Sequence, residues 1–220
     1  IKKAIFACFD NDLYTSPLGF MFGMPGENLY TARESGKLLG EIAARIGVSP
    51  GLIFGHLDPC YAIPLVGTPL YEYGKQLKLV GQNLDEEEKY LELVSNVGAY
   101  KRYYINFNGA PMSEVVFWDM LVFLEATRIF VKLTKNKTLG TKWEKKFKTV
   151  MKVKGLNPHV RSKQKKVQIM GDAGEKEDLS ITQYFITNFL KQHVVFNKFL
   201  ARVPRFILYP IVRYLLYFEF

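Results

Sequence analysis

The sequence predicts an α/β fold at its front that passes into a mostly helical C-terminal region. Three observations predict it. Over residues 18–65, apolar runs, a glycine-rich turn and an amphipathic segment follow in the order strand, turn, helix, strand, the βαβ signature of a parallel sheet. Beyond residue 84, apolar residues recur at spacings of three and four, the helical period. The 220 residues are 48% hydrophobic, enough for a large core, which excludes intrinsic disorder. A mean hydropathy of −0.03 excludes a multi-span membrane protein.

Residues 2–9 pattern as the end of a helix, closed by Asp10-Asn11-Asp12. The continuous apolar run Leu18–Phe22 suits a strand buried on both faces. It ends in Gly23-Met24-Pro25-Gly26-Glu27, a turn that only glycines make this tightly. Thr31-x-x-Glu34 predicts a capping box, opening a helix through about Arg45 that carries Leu38, Leu39, Ile42 and Ile46 on one face and stops at Gly47. Leu52-Ile53-Phe54 predicts a second strand, its line continuing through Tyr61–Leu65. Ligands in parallel sheets sit beyond the carboxyl ends of the strands, where the turn at 23–26 falls. There glycines would let a cofactor approach backbone N–H and C=O groups; such a turn is also an ordinary connector.

Farther on, Asp85-Glu86-Glu87-Glu88 suits the positive end of a helix that continues through Tyr90, Leu91, Leu93, Val94 and Val97 to Gly98. Tyr100–Gly109 is rich in aromatics. Ser113 to about Lys132 is apolar on most sides and predicts a buried helix, in which Glu125 and Arg128 read as a surface ion pair or as a polar wall.

Charge is uneven. The chain carries 30 basic and 21 acidic residues, but Lys132–Lys166 alone holds 13 basic residues against the single acid Glu144. Lys142, Lys145, Lys146 and Lys148 would lie opposite Trp143, Phe147 and Val150 on a helix. That pattern fits a membrane-surface helix, a solvated face or a nucleic-acid patch, and no recognised nucleic-acid motif accompanies it. In the tail, Ile181, Phe185, Phe189 and Phe196 recur at helical spacing, and residues 206–218 are nearly all apolar. Pro210 and Arg213 interrupt a run already short of the ~20 residues a span requires. Its tyrosines with Arg202, Arg205 and Arg213 suit a lipid headgroup boundary, and a helix docked on the core is the other reading.

Two segments carry a resemblance. Gly19-Phe20-Met21-Phe22-Gly23-Met24-Pro25-Gly26-Glu27 resembles the GFxFGxPGE segment of radical S-adenosylmethionine (SAM) enzymes. Ala62-Ile63-Pro64-Leu65-Val66-Gly67-Thr68-Pro69-Leu70-Tyr71-Glu72 resembles the PLPGTPLYE segment that follows in the same family. The nearest likeness is to the cobalamin-binding-domain subgroup, which includes anaerobic magnesium-protoporphyrin cyclase and hopanoid-modifying enzymes. The resemblance covers residues 1–80. It implies the last two strands of an incomplete (β/α)6 barrel and a SAM pocket lined by Gly19, Met21, Gly23, Glu27, Ile63, Pro64 and Gly67. Glu27 stands one place later than the acid of the common GxIxGxxE form, and Val66 stands where the family often has proline.

The family holds a [4Fe–4S] cluster on CxxxCxxC. Cys8 and Cys60 lie 52 residues apart and cannot form it. The resemblance therefore implies a chain that begins after the fourth strand, with cluster ligands, and any cobalamin domain, outside it. The alternative is a non-catalytic peripheral membrane or interaction protein that retains a partial barrel. Cys8 reads as a buried small hydrophobe, and Tyr61 and Tyr71 as packing residues. His56, Asp58 and Cys60 read as a polar strand end, or as a metal trio lacking a fourth ligand. The expected organisation is a partial radical SAM barrel (1–80), a helical substrate-side region (81–135), a basic linker or helix (136–179) and an amphipathic aromatic tail (180–220). The implied enzyme acts on a small-molecule or lipid-like substrate, in the cytoplasm or peripherally on an anionic membrane, with this chain inactive alone. Nucleic acid is not the expected partner.

Overall fold

The computed structural model describes residues 1–13, 20–54, 60–95, 105, 107–135, 141–153 and 198–217. In chain order these form α1 (Lys2–Asp10), β1 (Met21–Phe22), α2 (Leu29–Ile46), α3 (Pro50–Phe54), β2 (Cys60–Tyr61), α4 (Pro69–Gln76), α5 (Leu84–Ser95), α6 (Met112–Thr134), α7 (Lys142–Val153) and α8 (Arg205–Tyr217). These residues are mostly helical with almost no strand. Gly19, His56, Asp58, Gly98, Tyr100–Tyr104 and the tail residues Ile181–Phe196 lie outside the described residues.

Helix α6 organises the core. It contains neither glycine nor proline, and every residue from Val115 to Thr127 is buried. A helix buried around its whole circumference must be covered on several sides. Here α2 and α8 pack along it, with α3 and β1 adding further contacts. The predicted helix of 113–132 is this element, extended by a residue or two at each end.

Helix α2 packs along α6 and buries Leu39, Ile42 and Ala43 fully. The approach is close because Gly36 and Gly40 stand on the contact side. A Cβ at Gly36 would lie 2.7 Å from the Glu125 Cβ, and one at Gly40 2.6 Å from the Ala126 carbonyl oxygen. Gly47 ends the helix at φ +70°, as expected of a left-handed stop. The start differs from expectation. Asn28, not Thr31, is the N-cap: its side chain accepts from the N–H of Tyr30 and Thr31, while the Thr31 hydroxyl accepts from the Asn28 N–H. Both residue types can cap, and the earlier one adds most of a helical turn. Glu34 pairs instead with Lys37 on the exposed surface.

The parallel pair is present but small. Met21 pairs with Cys60 and Phe22 with Tyr61, and the Ala62 N–H extends the ladder to the Phe22 carbonyl at 2.7 Å. Two expectations are corrected. Phe22 is buried but Met21 is 52% exposed, so β1 is covered on one face rather than two. Leu52-Ile53-Phe54 lies in helix α3, not in a strand. Pro50 opens that helix at the position where its missing N–H costs nothing, and the Ser49 carbonyl accepts from Leu52 and Ile53. The second strand is confined to Cys60–Tyr61.

Helix α7 turns its apolar stripe inward. Trp143 and Phe147 are buried against Phe9 of α1, with the Trp143 ring edge-on at 4.6 Å between centroids. Trp143 and Phe147 are therefore part of the core. The lysines of α7 form a solvated face: Lys142 pairs with Asp12, Lys148 with Glu144 at 2.6 Å, and Lys146 stands 4.9 Å over the Trp143 ring. Cys8 is half-buried on α1, whereas Ile5 and Phe9 of the same helix are buried, so it is less enclosed than its apolar neighbours suggest.

Helix α8 docks on α6 through Leu208, Val212 and Leu216. An ion pair fixes it near each end, Arg205–Glu125 at 2.6 Å and Arg213–Glu114 at 2.7 Å. Glu125 is thus not part of a surface pair with Arg128. Its carboxylate is fully buried, receives both Nε and Nη2 of Arg205, and accepts the Tyr209 hydroxyl. Arg128 donates to the Val203 carbonyl and lies over the Tyr209 ring. Among the described residues no helix is long and apolar enough to cross a membrane.

Candidate cofactor site

Because β1 and β2 run parallel in register, the chain leaves both strands at the same edge. The glycine turn 23–27 and the segment 62–68 therefore emerge side by side. Each is shaped by its own sequence.

In the first loop, Gly23 and Gly26 both take φ +83°, a region side chains rarely enter. Glu27 folds back on the turn, its carboxylate accepting the Gly23 N–H at 2.5 Å and the Met24 N–H. Asn108, 82 residues away, clamps the other side: it accepts from the Gly26 N–H at 2.7 Å and donates to the Met24 carbonyl at 2.8 Å. The donors at 23, 24 and 26 are thus already engaged. What the turn offers a ligand is apolar surface and open space rather than free N–H groups. Met21 and Met24 are exposed, and a Cβ at Gly26 would meet nothing within 4 Å. Sequence pattern assigns Asn108 no role in this turn; its local mark is the turn dipeptide Asn108-Gly109, whose glycine has φ +67°.

In the second loop, Gly67 takes φ +79° with open space beside it. Thr68 is the N-cap of α4, accepting the Tyr71 N–H at 3.2 Å, and Pro69 fills the first helical turn. Leu65 and Val66 are exposed, Ile63 is half-buried and Pro64 is buried. Tyr90 of α5 fixes the level of this loop by donating to the Pro64 carbonyl at 2.6 Å. Tyr71 packs beneath, buried, with its hydroxyl donating to Glu87. Burial first, and the Glu87 carboxylate second, push that hydroxyl up to about 12. Tyr71 is a packing residue, as expected.

The structure thus brings Met21, Gly23 and Glu27 to the same edge as Ile63, Pro64 and Gly67, while Gly19 falls outside the described residues. Four apolar side chains stand exposed around this edge: Met21, Met24, Leu65 and Val66. No group of His, Cys, Asp and Glu among the described residues could hold a metal ion. A separate groove of about 500 Å³, lined by Phe6, Phe9, Arg45, Lys142 and Trp143, has charges engaged in the Arg45–Asp10 and Lys142–Asp12 pairs.

No protein-family model matches this chain, and neither a curated protein nor a solved structure does.

Glu27 carries a pH signature. Burial raises its carboxyl above the ordinary range, against the lowering effect of the two N–H donors. An acid raised in this way favours folding while protonated. Its contribution is complete below the ordinary value of 4.5 and is lost as pH rises through the raised one. Urea unfolding from weakly acid to neutral pH is therefore expected to show the native chain losing stability relative to Glu27→Gln as pH increases. Parallel profiles would contradict the assignment.

Proposed function

We propose that this chain is the C-terminal portion of a radical SAM enzyme of the cobalamin-binding-domain subgroup, contributing part of the SAM pocket. The observation that carries the reading is the parallel pairing of β1 with β2, which sets both motif segments at one strand-end edge. In the proposed barrel, an incomplete (β/α)6 assembly, these are the last two strands.

The residues present fit SAM. The open space beside Gly26 and Gly67 leaves room for a nucleoside, and Met21, Met24, Leu65 and Val66 supply an apolar surface for adenine. Gly23 allows the backbone to turn away at the strand end, and Glu27 with Asn108 holds that turn rigid. The described residues do not fit a [4Fe–4S] cluster, whose ligands, like any cobalamin domain, belong upstream. SAM held beside a reduced cluster supplies hydrogen-abstracting chemistry. This chain's part is to seat the nucleoside and, through the Tyr90-anchored second loop, to wall off a small-molecule or lipid-like substrate. The enzyme acts in the cytoplasm, peripherally on the membrane, and nucleic acid is not its partner.

Substitution of one glycine tests the pocket. In the protein from the complete reading frame, Gly23→Val forces a β-branched residue into φ +83° at the proposed nucleoside edge. Calorimetry is expected to show SAM affinity weakened about tenfold or more, with iron content near that of the native protein. Unchanged affinity would remove this edge from the SAM site.

A further inference from the structure

Strand, glycine turn and helix N-terminus, in that order, is an arrangement that cradles phosphate on free backbone N–H groups. Here β1, the turn 23–27 and α2 have that order, yet the donors are already engaged inside the chain. The Glu27 carboxylate accepts from Gly23 and Met24, and the Asn108 side chain accepts from Gly26. Pro25 has no N–H, and that of Glu27 donates to the Met24 carbonyl at 3.0 Å. At the start of α2, the Asn28 N–H goes to the Thr31 hydroxyl, and those of Tyr30 and Thr31 go to the Asn28 side chain. Between Gly23 and Thr31, only the Leu29 N–H has no acceptor among these contacts. The N-terminus of α4, at the same edge, is closed in the same way: Thr68 takes the Tyr71 N–H, and Pro69 has none to give.

We propose that this edge selects against phosphate, accepting an unphosphorylated nucleoside and rejecting the nucleotide, with Glu27 and Asn108 as the specificity-determining residues. It rests on the SAM reading above and narrows the class of ligand that the same site takes. Two effects act together. A phosphate entering the turn would have to displace Glu27 or Asn108 from the N–H groups it needs, exchanging one hydrogen bond for another with little gain. It would also stand beside the Glu27 carboxylate, a like charge in a half-buried setting where repulsion is weakly screened. A nucleoside that is neutral, or cationic like the sulfonium of SAM, meets neither obstacle. The open space beside Gly26 and Gly67 still admits its bulk. Asn108 reaches the turn from 82 residues away, so the closure is a property of the fold and not of the turn alone.

The test is calorimetry on the protein from the complete reading frame, with SAM, adenosine and AMP as probes. The native protein is expected to bind SAM and adenosine, and to bind AMP about tenfold or more weakly than adenosine. Glu27→Ala frees the Gly23 and Met24 N–H groups and removes the charge, so its ratio of AMP to adenosine affinity should rise about tenfold or more, as one hydrogen bond to a charged group would give. Asn108→Ala, which frees the Gly26 N–H, and Glu27→Gln, which keeps an acceptor without the charge, should raise the same ratio by less. Loosening of the site does not move this ratio, because both probes carry the same nucleoside. AMP bound by the native protein as tightly as adenosine would overturn the inference while leaving SAM binding intact. Unchanged ratios in Glu27→Gln and Asn108→Ala would also overturn it, whatever Glu27→Ala does to the fold. A native protein that binds neither SAM nor adenosine would overturn the SAM reading and this inference with it.

Discussion

Replacing Arg205 with methionine is expected to lower the unfolding free energy by about 3 kcal/mol, more than any exposed ion pair in the molecule would cost. The reason lies in the asymmetry of the pair. Glu125 has no exposure at all, whereas the Arg205 side chain remains 45% exposed. Removing the arginine leaves a fully buried carboxylate with the Tyr209 hydroxyl as its remaining partner among the contacts described above. Removing the carboxylate leaves a guanidinium that can turn to water. The double variant Glu125→Leu, Arg205→Met should therefore recover most of the loss, since an apolar pair of similar volume needs no compensation. Urea unfolding of the four members of this cycle measures it. A loss below about 1 kcal/mol for Arg205→Met would show that water reaches Glu125 and that α8 is not latched as described.

The latch illustrates what the sequence could and could not convey. Periodicity made α6 legible as a buried helix, and Leu39, Ile42 and Gly47 marked the inner face and end of α2. Glu125 was visible too, but its partner stands 80 residues away, and helical spacing pointed to the nearer Arg128. Amphipathicity has the same blind spot in α7, where Trp143 and Phe147 define an apolar stripe without naming what covers it. The structure gives that stripe to Phe9. Leu52-Ile53-Phe54 is too short a run to reveal a period, and the Ser49-Pro50 start signal beside it decides for helix. At the candidate site, the positive-φ glycines and the Thr68-Pro69 helix start could be seen in the residues themselves. Asn108 could not, because it acts on the turn at 23–26 from beyond α5.

The largest functional effect expected is all-or-none, and it concerns the cluster. Two thiols 52 residues apart cannot replace three on one loop, and no group of three His, Cys, Asp or Glu among the described residues could hold a metal ion. Anaerobic reconstitution of this chain alone is thus expected to leave no stoichiometric iron and sulfide and no reduced-cluster signal in electron paramagnetic resonance. The product of the complete reading frame should carry CxxxCxxC upstream, assemble one [4Fe–4S] cluster and, when reduced, convert SAM to 5′-deoxyadenosine. Assay of 5′-deoxyadenosine from the two proteins in parallel is the most direct measurement of the proposed activity. Formation by the complete protein and none by this chain is the result predicted. A cluster on the isolated chain, or a complete protein that forms neither cluster nor 5′-deoxyadenosine, would contradict it.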